Sequence, residues 1–209
     1  VRWPNLNKKL SDKPGTVQSL AIRELIANAL VHQDLNMTGS NPTVEIFDDR
    51  IEITNPGKPI IEIDEFLKAI SRSRNEKLGN IMRKLRICEE RGTGMVKTIQ
   101  ALEEMHLPAP KISLRNDHTV CTLYAYKKFE DMSEEEKIQA TYTHCILQHL
   151  SSSYMTNSSL KMRFGLEDIN KNSVAISKLI RKSIDEGKVK LYDPKAAGTK
   201  NTKYVPIWA

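Results

Sequence analysis

The chain has 209 residues, of which 39% are hydrophobic, so it is long enough for one large domain or two modest ones and can bury a core. Its net charge of +6 comes from 32 basic and 26 acidic residues, and so small an excess indicates a polyanionic partner only if the basic side chains cluster. No stretch approaches the roughly 18 consecutive apolar residues of a membrane span, and the N-terminus lacks a signal-peptide layout. We therefore expect a cytoplasmic protein without a membrane partner.

The first 14 residues contain Pro4, Pro14 and three lysines, a composition typical of a linker or an extended arm. We expect this segment to follow an upstream domain that is missing from the chain. The three cysteines, Cys88, Cys121 and Cys145, are an odd set without paired spacing, and we interpret them as free thiols.

A helix is predicted over residues 16–32. Its apolar residues follow the spacing of a helix buried along one face: Ile22, Leu25, Ile26, Ala29 and Leu30. Glu24, Asn28 and His32 recur every four residues and form a polar row beside that stripe. Such a row would line the rim of a cavity, while a solvated helix face is the alternative interpretation.

Strands and further helices follow this first helix. We predict a hairpin of residues 43–47 and 50–54 that ends at Asn55-Pro56-Gly57, and a second hairpin of residues 111–114 and 120–126. Helices are predicted over residues 63–70, 75–88 and 95–106. Asn75 is the expected N-cap of the second, whose apolar face would be Leu78, Ile81, Met82 and Leu85. Helices against a mixed or antiparallel sheet make an α/β sandwich of the α+β class.

The pattern changes after the acidic residues 130–136. Three helices (134–150, 157–164 and 173–186) and a terminal hairpin (188–192 with 204–208) follow in the order of a small winged-helix domain. The predicted organisation is therefore a linker or arm at 1–14, a nucleotide-binding domain at 15–130 and a winged-helix DNA-binding domain at 131–209.

Four short motifs occur in a fixed order along the larger domain: Asn28–His32, Asn55–Gly57, Arg74-Asn75 and residues 89–95, which end in Gly92-Thr93-Gly94-Met95. Their order resembles the GHKL (Bergerat-type) ATPase superfamily of gyrase, heat-shock chaperones and histidine kinases. It resembles more closely a divergent branch, named as related to the C-terminal part of the RecG helicase. The resemblance covers about 110 residues and implies an ATP-binding domain.

The resemblance also implies roles for single residues. Asn28 would coordinate the Mg²⁺ that bridges the triphosphate, since a neutral amide oxygen can ligate a hard cation. Glu24 would orient or deprotonate the attacking water in members that hydrolyse ATP. Gly92 and Gly94 would let backbone N–H groups approach phosphate oxygens at a helix N-terminus. The other residues expected to bind nucleotide are His32, Asn55, Gly57, Arg74, Asn75, Thr93 and Met95.

Two residues depart from the superfamily pattern. Asn55 stands where most members have the Asp that accepts a hydrogen bond from the adenine amino group, and Pro59 replaces a glycine. Loss of the charge-assisted bond costs on the order of 1 kcal/mol. Residues 94–98 lack the Gly-Lys pair of a P-loop, so no helicase motor is predicted.

In the C-terminal domain, the helix over residues 173–186 has the pattern of a recognition helix. Val174, Ile176, Leu179 and Ile180 would face the core. The residues expected to contact DNA are Ser177, Lys178, Arg181 and Lys182 on this helix and Lys195 and Lys200 on the wing. A winged helix that mediates protein contact or dimerisation is the alternative, and a homodimer stays open.

Three functions are consistent with these features. The first is a DNA-binding transcriptional regulator that responds to ATP and Mg²⁺. The second is an ATPase that uses Glu24 as a base. The third is a degenerate scaffold for protein interaction, motivated by Asn55 and Pro59.

Overall fold

The computed structural model describes residues 14–59, 73–87, 94–194 and 202–209, with residues 14–20 as backbone only. The chain divides into two units. Unit 1 contains the described residues up to Met105 together with Pro110–Tyr126, and unit 2 contains His106–Ala109 and Lys127–Ala209. The helix predicted over residues 63–70 lies outside the described residues.

Unit 1 contains a four-stranded antiparallel sheet, which confirms both predicted hairpins. The strands are β1 (Thr43–Ile46), β2 (Arg50–Pro56), β3 (Lys111–Arg115) and β4 (His118–Tyr124), in the order β1-β2-β4-β3. Asn116 and Asp117 turn the second hairpin with positive φ angles of 47° and 61°, a conformation that Asn and Asp side chains tolerate. β2 extends to Pro56, beyond its predicted end, because Asn55 and Pro56 pair with β4.

The two faces of the sheet differ in chemistry. Ile51 and Ile53 are each 2% exposed and lie on the same face as Leu123. On the other face the buried Glu52 forms ion pairs with Arg50 at 2.7 Å and Arg115 at 3.1 Å. These bonds, the one from Arg50 first, lower the pKa of Glu52 and keep this buried carboxylate charged.

The helices of unit 1 are α1 (Pro14–His32), α2 (Glu76–Lys84) and α3 (Gly94–Glu104). α1 packs against α2, α3 and β2. Met82 of α2 buries its side chain against Ala27 and Val31 of α1. The predicted apolar face of α2 is wrong at two positions, since Ile81 and Leu85 are 55% and 65% exposed. Only the side of this short helix that carries Met82 reaches α1.

Unit 2 contains α4 (Glu134–Leu150), α5 (Asn157–Arg163), α6 (Asn170–Asp185), β5 (Val189–Leu191) and β6 (Tyr204–Pro206). β5 and β6 pair antiparallel, and Met155 adds a single bridge to Tyr204. α4 and α5 begin at capping boxes, where Ser133 pairs with Glu136 and Thr156 with Ser159. Its fully buried side chains include Ile146, Met155, Leu160 and Ile176.

One core expectation for α6 is wrong. Val174 is 53% exposed, because the inward stripe consists of Ile176, Leu179, Ile180 and Ser183, and Val174 lies off that stripe. Together the described residues form six α-helices with the antiparallel sheet, an α+β fold.

Two further observations concern the described residues of both units. Within the described ranges, no helix combines the length and apolar character that crossing a bilayer requires. Cys121 and Cys145 are free thiols, and burial raises the pKa of each to about 12. Cys88 lies outside the described residues.

Candidate functional site

Glu24 and Gly94, two predicted site residues far apart in sequence, lie in direct contact. A Cβ built on Gly94 would stand 2.7 Å from the Glu24 Cγ and closer still to its carboxylate. Gly94 is the first residue of α3, and Glu24 lies in the third turn of α1 and is 4% exposed. The absence of a side chain at Gly94 therefore lets a buried carboxylate reach the N-terminal end of α3, where the helix dipole favours negative charge.

Asn28 occupies the middle of the inward face of α1. At about 100° per residue, its side chain points between those of Glu24 and Ala21, which are 4% and 1% exposed. Yet Asn28 is only half-buried, and its amide hydrogen-bonds to no described residue. The polar row thus runs along the centre of the buried arc and not beside it, so part of this inward face is not covered by packing.

Two other polar atoms near this helix pair lack partners. Thr98, one turn after Gly94 on α3, is 1% exposed, and its hydroxyl has no hydrogen-bond partner among the described residues. Asn55 is 7% exposed at the end of β2, against which α1 packs. Its amide nitrogen donates to the Pro56 carbonyl at 3.3 Å, while no described residue donates to its Oδ1. Since buried polar groups are nearly always paired, unpaired ones indicate a site that accepts a polar ligand or water.

Gly57 lies in a tight junction between the end of α1 and the residues that precede α2. It has a φ of +102°, in the left-handed region that favours glycine, and a Cβ there would stand 2.8 Å from the Asp34 Cβ. Arg74 ion-pairs with Asp34 at 2.7 Å and donates to the Lys58 carbonyl at 2.6 Å. The guanidinium of Arg74 therefore has a structural role in this junction.

Asn75 directly precedes α2 and bonds to the C-terminal end of α1. Its amide nitrogen donates to the carbonyls of Val31 at 3.1 Å and Gln33 at 2.8 Å, which satisfies acceptors at the C-terminus of α1. Asn75 occupies the N-cap position of α2, as predicted, but its side chain makes no capping bond there. A local pattern predicts the position, and the partner is set by the tertiary fold.

His32 ends the polar row and lies near the same junction. Burial, and then the positive charge of Arg74, lower the pKa of His32 below its ordinary value. The imidazole is therefore held neutral, and it could serve as a hydrogen-bond donor or acceptor without adding charge.

Asp34 was not predicted to belong to the site. Its Oδ1 accepts a 3.0 Å hydrogen bond from the backbone N–H of Asn36. That bond, then the charge of Arg74, lowers the pKa of Asp34. An Asp two residues past a helix end is a recognisable turn signal, but nothing local indicates Arg74, which lies 40 residues away.

The structure places the remaining predicted residues as follows. Met95 is the second residue of α3 and is half-buried, whereas Gly92 and Thr93 lie outside the described residues. The site residues of unit 1 thus form two groups: Glu24, Asn28 and Gly94 where α1 meets α3, and Gly57, Arg74 and Asn75 at the C-terminal end of α1.

The predicted DNA-contacting residues of α6 are all exposed, but they are not equivalent. Lys178 and Arg181 form no ion pair with a described residue, whereas Lys182 pairs with Glu134 of α4. Ser177 accepts a 2.9 Å hydrogen bond from Asn157 of α5. Among the residues predicted to contact DNA, Lys178 and Arg181 are therefore the basic groups of α6 that have no ion pair with a described residue. Lys195 and Lys200 lie outside the described residues.

Comparison with known proteins identifies one family. The family described as "Putative ATP-dependent DNA helicase recG C-terminal" matches residues 39–123. This stretch is similar to a RecG-related, ATPase-like domain. The match covers less than half of the chain and includes Gly57, Arg74, Asn75 and Gly94, but not Glu24 or Asn28 of α1.

Other comparisons add little. No curated protein matches the chain. The crystal structure of the DIP2311 protein from Corynebacterium diphtheriae aligns with a TM-score of 0.49 and 14% sequence identity. The alignment covers 91% of this chain and 50% of that protein, so the chain spans about half the length of this solved structure.

Proposed function

We propose that unit 1 is a GHKL-type domain that binds ATP with Mg²⁺, and that unit 2 is a winged helix that binds DNA. The protein would then be a DNA-binding transcriptional regulator whose affinity or assembly responds to nucleotide. The observation that carries the nucleotide part is Asn28, whose amide lies at the centre of the inward face of α1 and bonds to no described residue.

The unpaired atoms fit the chemistry of a magnesium nucleotide. The Asn28 oxygen would ligate Mg²⁺ together with phosphate oxygens, which does not require a cluster of carboxylates. The Asn55 Oδ1, to which no described residue donates, would accept a hydrogen bond from the adenine amino group. Bound Mg²⁺ would neutralise charge on the triphosphate. The family similarity over residues 39–123 supports this assignment independently of Asn28, which lies outside the matched stretch.

Titration calorimetry with ATP and Mg²⁺ tests the nucleotide part. Asn28→Ala should lower the affinity for Mg-ATP about tenfold or more, since a bond to a charged group contributes roughly 1.5–3 kcal/mol. Asn41→Ala is the matched control, because Asn41 is an exposed asparagine of the same unit. Heat that is absent with the native protein, or unchanged in Asn28→Ala, would remove the nucleotide proposal.

The DNA part rests on α6 and the elements around it. The order α4, α5, α6, β5, β6, with the Met155 bridge before α5, supports the proposal that unit 2 is a winged helix. The exposed stripe of α6 presents Lys178 and Arg181, neither of which forms an ion pair with a described residue. Fluorescence anisotropy with a mixed-sequence duplex should show weaker binding for Lys178→Ala than for Lys182→Ala, since Lys182 already pairs with Glu134. Equal losses would count against α6 as the contact surface.

ATP hydrolysis is the second candidate function, and the position of Glu24 favours it. Its carboxylate lies at the N-terminus of α3, where phosphate is expected to bind. Phosphate release that is no faster than in Glu24→Ala would eliminate hydrolysis.

A non-binding scaffold is the third candidate, favoured by the structural contacts of Arg74 and Asn75. It predicts no thermal shift with any nucleotide.

A further inference from the structure

Two tyrosines and a lysine meet at the end of the β5–β6 ladder from which the connecting loop departs. Backbone bonds align the segments that carry them: Tyr192 donates to the Lys203 carbonyl at 3.0 Å, and Met155 and Tyr204 bond to each other at 3.2 and 2.9 Å. The rings of Tyr154 and Tyr192 have centroids 4.5 Å apart and planes tilted by 51°. Lys203 Nζ lies 4.5 Å from the centroid of the Tyr154 ring. We refer to Tyr154, Tyr192 and Lys203 as the tyrosine cluster.

The cluster is held in place but not buried. Tyr192 is 55% exposed although its ring packs on Tyr154, and Lys203 is also exposed. A hydrogen bond with the Tyr192 hydroxyl raises the pKa of Tyr154, so the Tyr154 hydroxyl stays protonated and neutral. An aromatic side chain fixed by its neighbours loses little conformational freedom when a ligand stacks on it.

The core of unit 2 does not account for the exposed ring. The fully buried side chains of this unit include Met155, Ile146, Leu160 and Ile176, whereas Tyr192 is 55% exposed. A rigid aromatic face beside a lysine suits a ligand that is planar and carries negative charge. A nucleic-acid strand offers both, because its bases are planar and its phosphates are anionic.

Whether its bases are paired determines which nucleic acid can stack on the tyrosine cluster. Inside a duplex both faces of each base are covered by neighbouring bases, so a protein ring can stack only on an unpaired or terminal base. We propose that the tyrosine cluster is a stacking site for an unpaired nucleobase, with Tyr192 providing the face and Lys203 contacting an adjacent phosphate. This inference rests on the proposed nucleic-acid function of unit 2 and adds a preference for unpaired strands that α6 would not confer.

An abasic strand separates base stacking from phosphate contact. The full chain is titrated with an oligothymidylate and with an abasic strand of equal length, which retains the phosphates but lacks the bases. Stacking of one base predicts that the native protein prefers oligothymidylate by roughly five- to 100-fold. Tyr192→Ala should abolish the preference, whereas Tyr192→Phe should keep it because the ring is retained. Lys203→Gln should weaken the binding of both strands by a similar factor.

Tyr126→Ala is the matched control, since Tyr126 is a 52% exposed tyrosine of unit 1. It should leave the preference unchanged. The inference is overturned if native protein binds a duplex but does not distinguish the two single strands, or if Tyr192→Ala keeps the preference. Native protein that binds neither duplex nor single strands would instead remove the proposed DNA function, together with the inference.

Discussion

Replacing Gly94 by Ala tests the contact on which the candidate site depends. The new Cβ would lie 2.7 Å from the Glu24 Cγ and nearer to the carboxylate, too close without movement. Glu24 is 4% exposed and cannot swing freely into solvent. Overpacking of this kind costs about 1–3 kcal/mol, while Gly to Ala in a helix gains about 0.5–1 kcal/mol. We expect a net loss of up to about 2 kcal/mol in the stability of unit 1.

Two further variants test whether the loss of stability in Gly94→Ala comes from the contact between Gly94 and Glu24. In Gly79→Ala, a helical control in α2, the new Cβ would stand 3.3 Å from Arg83 Nη1 and 3.4 Å from Val31 Cγ1, so this variant should be near neutral. In the double variant Glu24→Ala with Gly94→Ala the clash is removed, so the two substitutions should couple by about 1–3 kcal/mol. Urea unfolding followed by circular dichroism gives the overall change, and hydrogen exchange of α1 and α3 peptides assigns it to this helix pair.

This reasoning would be refuted if Gly94→Ala and Glu24→Ala had additive effects on the free energy of unfolding. If Gly94→Ala is no less stable than Gly79→Ala, or if Glu24→Ala does not relieve it, the two residues do not touch in solution. The assignment of Glu24 to the α3 N-terminus would then fail, and with it the structural basis for a catalytic role.

Two further predictions concern the C-terminal end of α1. Asn75→Ala removes the bonds to the carbonyls of Val31 and Gln33 and should lower the free energy of unfolding by about 1–3 kcal/mol, measured by urea titration. His32 has a folded-state pKa below the ordinary 6.5, so the unfolded chain takes up its proton first. Stability should therefore fall as pH drops below about 6.5 through the folded pKa, and His32→Gln should reduce that slope. In NMR titration Arg74→Gln should raise the pKa of His32, and no rise would contradict the charge effect.

Local sequence patterns predict the elements well because they report short-range physics. α4 begins at a Ser133–Glu136 capping box and ends at Leu150, as its pattern predicts. The alternation of Ile51 and Ile53 on β2 likewise predicts a face that is buried. Exposure of Val174 and Leu85 could not be predicted, since it depends on which side of a helix another element covers.

The bonding partner of a side chain was less predictable than the place of its residue in a helix or strand. Asn75 lies where an N-cap is predicted, yet it bonds to α1, and Arg74 pairs with Asp34 across 40 residues. These contacts exist only once α1, the end of β2 and the start of α2 have come together. No periodicity or local motif encodes them, so a motif match alone cannot distinguish a ligand contact from a structural bond.

The difference between a structural bond and a ligand contact separates the residues of the family match from Asn28. Gly57, Arg74 and Asn75 lie within the matched residues 39–123, and their contacts to Asp34 and to the end of α1 join parts of the fold, although the buried Nε of Arg74 has no hydrogen-bond partner among the described residues. Their presence in another protein therefore argues for a shared scaffold, whether or not that protein binds nucleotide. Asn28 lies outside the matched stretch, on the inward face of α1, and its amide hydrogen-bonds to no residue that the structure describes. A chain with the same scaffold but an apolar residue in place of Asn28 should keep the fold and lose the proposed nucleotide binding, which makes Asn28 more informative about the proposed function than the matched motifs.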